Sequence, residues 1–433
     1  MAVAVVDSYS CASGGEINAG RFALRPILAG IGHSMMAQST VGLGWPWVGM
    51  QGKSPHKWIN TLLRMPFDYA RCDIDLGRVA NNMENGFYGE SGQTSSGVNT
   101  YTQLVIDALA PIVGSRQVVV GIMACLNDLT GGVAPSTIWS NYNSIMNKLD
   151  AVGWKTLLST SPPTGEYNTD TERDAVIALS ALMTGALPDS RIVDVLDFTS
   201  PYVDTGQPSG YQQPLDGYTT DGTHLTQSGA FKIAIDTYAA LDGLYPPWSP
   251  TGNEVVCSQN PTLSTTGGTL GSNASGVVPA GFTLQAPGTG CSVVGSQAGD
   301  YYQMVFSYSG AAWTATTIGG LLAASFTANA TLGVDYIQSL CDVEIVECTN
   351  YMFQSLSELD GSHYGECPTI NQYSSSTWME ALEGKRMVFH TEPHLFPATA
   401  NRSVTSFGAR PVVGATSASL TVRIRWMGTK RHD

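Results

Sequence analysis

Pro26-Ile27-Leu28-Ala29-Gly30-Ile31-Gly32-His33-Ser34 holds the first regular segment of the chain, and its reading decides the fold. Residues 26–32 carry no charged or polar side chain, and so short a continuous apolar run predicts a strand buried on both faces. Residues 118–124, Trp154 to Ser159, and Ile192 to Leu196 repeat the signature. Helical periods separate these runs. Val98, Tyr101, Val105, Ala108 and Leu109 share one face. Pro135 and Ser136 open a helix with a stripe of Trp139, Tyr142, Ile145, Met146 and Leu149. Asp170 is the expected cap of a helix through Val176, Leu179 and Leu182, and a last helix follows Thr226 with Phe231, Ala234, Ile235, Tyr238 and Leu241. Buried strands alternating with amphipathic helices predict a parallel sheet covered on both sides, a three-layer α/β/α sandwich over residues 24–245.

The rhythm breaks at Tyr245-Pro246-Pro247-Trp248-Ser249-Pro250, and residues 246–252 are expected to form a linker. Beyond it the period changes to two. Leu420, Val422, Ile424 and Trp426 alternate with Thr421, Arg423 and Arg425, and Tyr302, Met304, Phe306 and Tyr308 do the same. Turn-rich stretches separate these runs, and only Thr377 to Leu382 hints at a helix. Residues 253–433 are therefore expected to form a β-sandwich or jelly-roll domain that binds or anchors. Residues 1–23 show no clear element and are expected to be an arm or an oligomer contact.

A chain of 433 residues favours two domains. Its formal net charge of −14, with Lys430-Arg431-His432 as the one basic cluster, argues against a nucleic-acid partner and against anionic membranes. No apolar run reaches membrane-spanning length. The start, Met1 to Asp7, lacks the basic segment and longer apolar core of a secretory signal. The expected address is therefore intracellular, that of a mature form, or one reached by another route such as virion assembly. Charged residues make up only 13% of the chain, and Gly, Ser and Thr fill the difference. The eight cysteines (11, 72, 125, 257, 291, 341, 348 and 367) show no CxxC and no His at zinc-finger spacing, so no metal is expected and most are read as reduced and buried.

Four blocks carry candidate chemistry. Ser34, in Gly30-Ile31-Gly32-His33-Ser34, leaves the first strand at the carboxyl edge of the sheet, where open α/β sheets bind ligands. A helix N-terminus there would favour developing negative charge; alternatively, Ser34 merely caps that helix. Asp221-Gly222-Thr223-His224-Leu225-Thr226 precedes the final helix. An Asp three residues before a His can curl back to the ring Nδ1 and leave the other nitrogen as a general base. Gly89-Glu90-Ser91-Gly92-Gln93-Thr94-Ser95 and Leu126-Asn127-Asp128 each follow an expected strand. A backbone N–H and an Asn amide are the donors an oxyanion needs, though both blocks also read as ordinary turns.

Taken in order, Ser34, Gly92, Asn127 and Asp221-x-x-His224 resemble the SGNH (GDSL-like) hydrolase family over roughly residues 24–245. The resemblance implies an esterase with Ser34 as nucleophile, His224 as base and Asp221 as its orienting partner. It assigns the oxyanion to Ser34, Gly92 and Asn127 and implies no cofactor. Two positions depart from the family pattern: His33 stands where an Asp is usual, and Cys125 where a Gly is usual. The nucleophile elbow of α/β-hydrolases is excluded, because it needs Gly two residues after the Ser and Met36 stands there.

His33, Trp45 and Trp47 are candidate substrate-binding residues; Trp58 is a further candidate wall, with core packing as the alternative for at least one of the tryptophans. His390 and His394 are four apart, but Pro393 forbids the helix that would aim both at one metal, so both are read as structural. Asn273, Asn329 and Asn401 head glycosylation sequons. The expected function is a carbohydrate O-acetylesterase acting on an O-acetylated glycan or other ester. Composition resembles a virion surface protein such as a tailspike or capsid spike, working in host attachment as a homo-oligomer or with other virion proteins. The alternatives are a non-catalytic attachment scaffold and a secreted bacterial esterase.

Overall fold

The computed structural model describes residues 25–37, 54–70, 73–74, 83–84, 86–250, 260–315, 317–323, 334–359, 362–366, 380–391, 393–395 and 403–432. The expected arm 1–23, Trp45, Trp47, Asn329, Asn401 and Cys11, Cys72, Cys257 and Cys367 lie outside the described residues, as do residues 251–252 of the expected linker and 377–379 of the short helix.

The first half is built on β1 (Ile27–Gly32), whose six residues are all buried. Its neighbours are β4 (Phe87–Gly89) and β5 (Val118–Met123), both parallel to it, and β6 (Lys155–Ser159) and β7 (Ile192–Leu196) continue the parallel sheet. Two short strands, β2 (Asp73–Ile74) and β3 (Met83–Glu84), extend the β4 edge antiparallel, a departure from an all-parallel sheet. Two-residue strands carry too little periodicity to be read from sequence.

Alternate strand residues feed opposite layers. Ile27, Ala29, Ile31, Val118, Val120 and Ile122 pack with α3 (Ser95–Val113), α5 (Pro135–Asp150) and α6 (Asp170–Gly185). Leu28, Val119 and Leu157 face the other way, toward α1 (Ser34–Ala37), α2 (Pro55–Leu62) and α7 (Gln227–Thr237). The expected three layers are thus present. Gly32 is forced by the close approach of β5: a Cβ there would lie 2.2 Å from the Met123 carbonyl oxygen.

Local signals set most helix ends. Pro135 occupies the first turn of α5, where its missing N–H costs nothing. Thr226 caps α7 by accepting the Gly229 N–H at 3.0 Å. Four details differ from expectation. Met183 takes the buried position of α6 expected for Leu182, which is exposed. The cap of α6 is Thr169, not Asp170, because Thr169 and Glu172 satisfy each other's N–H groups in a capping box. Ile138 takes the buried position of α5 expected for Trp139, which is half-buried and stacks on Tyr142. The helix α7 stops at Thr237, and a 3₁₀ turn then delivers the buried Leu241.

The second half consists of two sheets. One runs β16 (Ser362–Glu366), β15 (Tyr351–Leu359), β19 (Ser403–Pro411), β13 (Gly319–Ala323), β10 (Phe282–Gln285), β8 (Thr269–Leu270). The other runs β17 (Arg386–His390), β14 (Tyr336–Thr349), β20 (Ser417–His432), β12 (Tyr301–Ser309), β11 (Cys291–Ala298), β9 (Ala274–Gly276), with β18 (His394–Leu395) paired on β14. Tyr302, Met304 and Phe306 of β12 and Leu420, Val422, Ile424 and Trp426 of β20 are buried at every second position, as the alternation predicts. Leu284, Leu321 and Phe407 of the facing sheet join the same core.

That core continues into the α2 and α7 layer of the first half. All eight residues of α2 are buried, including His56, Lys57, Asn60 and Thr61. Trp58 is fully buried and meets Phe231 edge-on at 5.1 Å, so it is core and not a substrate wall. His390 reaches across from β17 to share hydrogen bonds with Thr61 (3.2 Å) and Tyr69 (3.4 Å). Trp248 is buried edge-on against Trp426. The described cysteines 125, 291, 341 and 348 are buried thiols.

Candidate active site

The parallel register sets three loops side by side. Gly32 pairs with Gly89 on one flank and with Met123 on the other. Ser34, Gly92 and Asn127 follow these three residues at intervals of a few positions, so they emerge along one carboxyl edge. The N–H of Glu90 donates to the Gly32 carbonyl at 3.2 Å, and the Tyr101 hydroxyl donates to that same oxygen. The N–H of His33 donates to Met123 at 2.9 Å. The exit of β1 is thereby fixed from both sides.

Ser34 is half-buried and begins α1, of which four residues are described. His33 is buried beneath it, and its Nδ1 accepts the Met35 N–H at 3.2 Å. Burial, and secondarily the positive charge His224 would carry, press the His33 imidazole down to about 3. His33 is therefore neutral, and its ring folds back on its own turn. His224 is thus close enough to His33 to act on it electrostatically.

Gly92 is exposed, with φ +74, a backbone that favours glycine. Asn127 sits in a short helix, α4 (Leu126–Thr130), and not in the turn its sequence resembles. Its side-chain amide donates to the Gln93 carbonyl at 2.8 Å. One residue on, buried Asp128 accepts the Ser95 N–H at 2.5 Å and the Ser95 hydroxyl at 3.0 Å, so it caps α3 from a distance. Ser95 and Gln93 escaped sequence reasoning, since nothing in spacing links them to residues 127 and 128. Together they clamp the Gly92 loop onto the Asn127 helix. Among the described residues nothing accepts the N–H of Ser34 or of Gly92, and one amide hydrogen of Asn127 is likewise uncommitted. Three donors are available for an anionic oxygen. Cys125 is buried, and burial raises its thiol to about 11, so it is a packed, inert thiol.

Asp221 and His224 form one tight unit. The carboxylate takes the His224 Nδ1–H at 2.7 Å and the backbone N–H groups of His224 (2.8 Å) and Thr223 (3.0 Å). Those hydrogen bonds hold the Asp221 carboxyl down at about 2. Ionised Asp221 requires the proton on Nδ1, which leaves Nε2 as the basic nitrogen. Leu225, fully buried, anchors the loop directly after His224. Among the described residues no hydrogen bond joins the Ser34 hydroxyl to His224 Nε2, while Nδ1 of that ring is held by Asp221. The sequence-predicted pair Asp221–His224 is assembled, and Ser34, Gly92 and Asn127 lie on neighbouring loops at one sheet edge.

No protein-family model and no curated protein sequence matches the chain. Among solved structures it is similar to TesA, with 20% identity over 50% of this chain and 99% of that one, at a TM-score of 0.34. It is also similar to a GDSL-like lipase from Bacteroides thetaiotaomicron VPI-5482 (16% identity, 49% and 86% of the two chains, TM-score 0.32). A member of the lipolytic protein G-D-S-L family from Veillonella parvula DSM 2008 shows 14% identity over 48% and 93% of the two chains, at a TM-score of 0.31. Each of these likenesses spans about half of the present chain.

Proposed function

We propose that the chain is a serine ester hydrolase working through an acyl-enzyme. The observation that carries this is the fixed tautomer of His224: Asp221 holds its Nδ1 at 2.7 Å, beside the strand edge from which Ser34 emerges. In the proposed reaction Ser34 Oγ attacks the ester carbonyl and Nε2 of His224 takes its proton. The oxyanion forms against the N–H of Ser34, the N–H of Gly92 and the Asn127 amide. The imidazolium then protonates the departing alkoxide, and a water activated by the same nitrogen releases the acid. Hydrogen bonds between nucleophile and base are often long in free enzymes and tighten with substrate, which accommodates the open Ser34–His224 contact.

The proposed substrate is an O-acetylated carbohydrate, because a two-sheet β structure packed on the esterase half supplies an extended surface for a glycan. The proposed setting is a virion surface, as a homo-oligomer or with other virion proteins; the support is compositional, a chain rich in Gly, Ser and Thr and low in charge. Turnover of p-nitrophenyl acetate by the native chain and by Ser34→Ala tests the reaction. Loss of turnover in the variant is expected, and equal rates would favour a non-catalytic scaffold. Acetate release from a panel of acetylated glycans tests the substrate.

A further inference from the structure

The loop that follows β6, residues 161–167, takes no part in the chemistry above, yet it touches both arms of the site. Its apex meets the acid–base loop. The Gly165 N–H donates to the Gly222 carbonyl at 2.7 Å, where Gly222 adopts φ +83. Thr164, fully buried, has its Oγ1 2.9 Å from Oγ1 of Thr223. Glu166 accepts from the Thr223 hydroxyl at 3.3 Å, and its own N–H donates to Thr164 Oγ1 at 3.3 Å. Counting protons fixes the directions. A carboxylate only accepts, so the single Thr223 hydroxyl proton goes to Glu166, and Thr164 must donate to Thr223. The result is a closed ring: Glu166 N–H to Thr164, Thr164 to Thr223, Thr223 back to the Glu166 carboxylate. Each member polarises the next.

The base of the loop meets the oxyanion arm. Ser161, buried, pairs with the Tyr167 hydroxyl at 2.6 Å. The hydroxyls of Ser161 and Tyr142 both oppose the rise that burial imposes on the Cys125 thiol, which places each beside it. Cys125 directly precedes α4, which carries Asn127, and the Tyr142 hydroxyl accepts the Ala124 N–H at 3.0 Å. One seven-residue segment thus spans from the residue that starts the Asn127 helix to the residue beside His224.

We infer that residues 161–167 are a strut that sets the His224–Asp221 arm against the oxyanion arm, with Thr164 as a positioning residue for His224. This rests on the esterase reading for its effect on turnover, but not for its effect on the ring. Thr164→Val removes the hydroxyl that closes the ring and keeps the shape; Thr164→Ser restores it. Two readouts are needed on the full chain. In long-range ¹⁵N–¹H spectra of histidine-labelled protein, native and Thr164→Ser chains keep the His224 proton on Nδ1. In Thr164→Val the Nδ1 proton still faces Asp221 but, on a loosened loop, exchanges with solvent at least about fivefold faster. In turnover of p-nitrophenyl acetate, Thr164→Val lowers kcat about tenfold or more with KM within about twofold, and Thr164→Ser stays within about twofold of native. An exchange rate of the His224 Nδ1 proton unchanged in Thr164→Val overturns the inference, whatever the activity. So does a kcat lowered equally in Thr164→Ser and Thr164→Val. If the native chain turns over no ester, the esterase reading fails and the spectrum alone decides on the strut.

Discussion

Asp221 holds His224 twice, with Oδ2 2.7 Å from the ring Nδ1 and Oδ1 2.8 Å from the same residue's backbone N–H. One carboxylate thereby fixes both where the imidazole stands and which nitrogen carries its proton. Because the carboxyl is held at about 2, it stays ionised through mildly acidic solution. Asp221→Asn keeps the loop's backbone acceptor but offers Nδ1 an amide that can donate, which favours the wrong tautomer. The variant is expected to fold normally by circular dichroism and to lose roughly 10²–10⁴ in kcat at every pH between 5 and 9.

In the proposed reaction Asn127 has a double task, since its amide also pins the Gln93 carbonyl at 2.8 Å. Asn127→Ala removes an oxyanion donor and frees the Gly92 loop. Steady-state kinetics should show kcat reduced by about 10²–10³ with a smaller change in KM. A loss confined to KM would assign Asn127 to ground-state binding instead.

Three buried histidines make the fold acid-sensitive. Burial presses His33 and His390 to about 3 and His56 to about 4, below the ordinary 6.5. A depressed folded value means the unfolded chain binds the proton first. Stability is therefore complete above about pH 6.5 and falls as pH drops toward the folded values. At pH 5 each histidine costs about 2 kcal/mol, a large share of a domain's net stability. Denaturant titrations from pH 7.5 to 4 should show that decline, and His390→Gln should make it shallower by about a third. A flat profile over that range would contradict the burial argument.

Gly32 and Gly30 differ in what surrounds them. A Cβ at Gly32 would sit 2.2 Å from a backbone oxygen of β5, whereas at Gly30 the nearest atoms are the Met36 sulfur and the Phe87 ring, both at 2.6 Å. Side chains yield more easily than paired strands. Gly30→Ala should cost about 1–3 kcal/mol in denaturant titrations, and Gly32→Ala more.

Much of this was legible from the residues. Continuous apolar runs announced β1, β5, β6 and β7, Thr226 announced the start of α7, and the Asp221-x-x-His224 spacing announced the contact between that carboxylate and that ring. Other features depend on contacts distant in the chain. Nothing around His56, Lys57, Asn60 and Thr61 signals full burial, because the covering surface comes from the second half, with His390 lying 329 positions beyond Thr61. The Ser95–Asp128 clamp and the Thr164–Thr223–Glu166 ring likewise join residues that sequence spacing leaves unrelated. Asn127 reads as a turn residue because a five-residue helix is shorter than two turns of period.

The most direct test is covalent trapping of the nucleophile. Native chain treated with a fluorophosphonate should gain one adduct, and peptide mass spectrometry should map it to Ser34. The adduct should be absent in Ser34→Ala and form far more slowly in His224→Ala. An adduct on another serine, or labelling at native speed without His224, would contradict the assignment of Ser34 as nucleophile and His224 as its base.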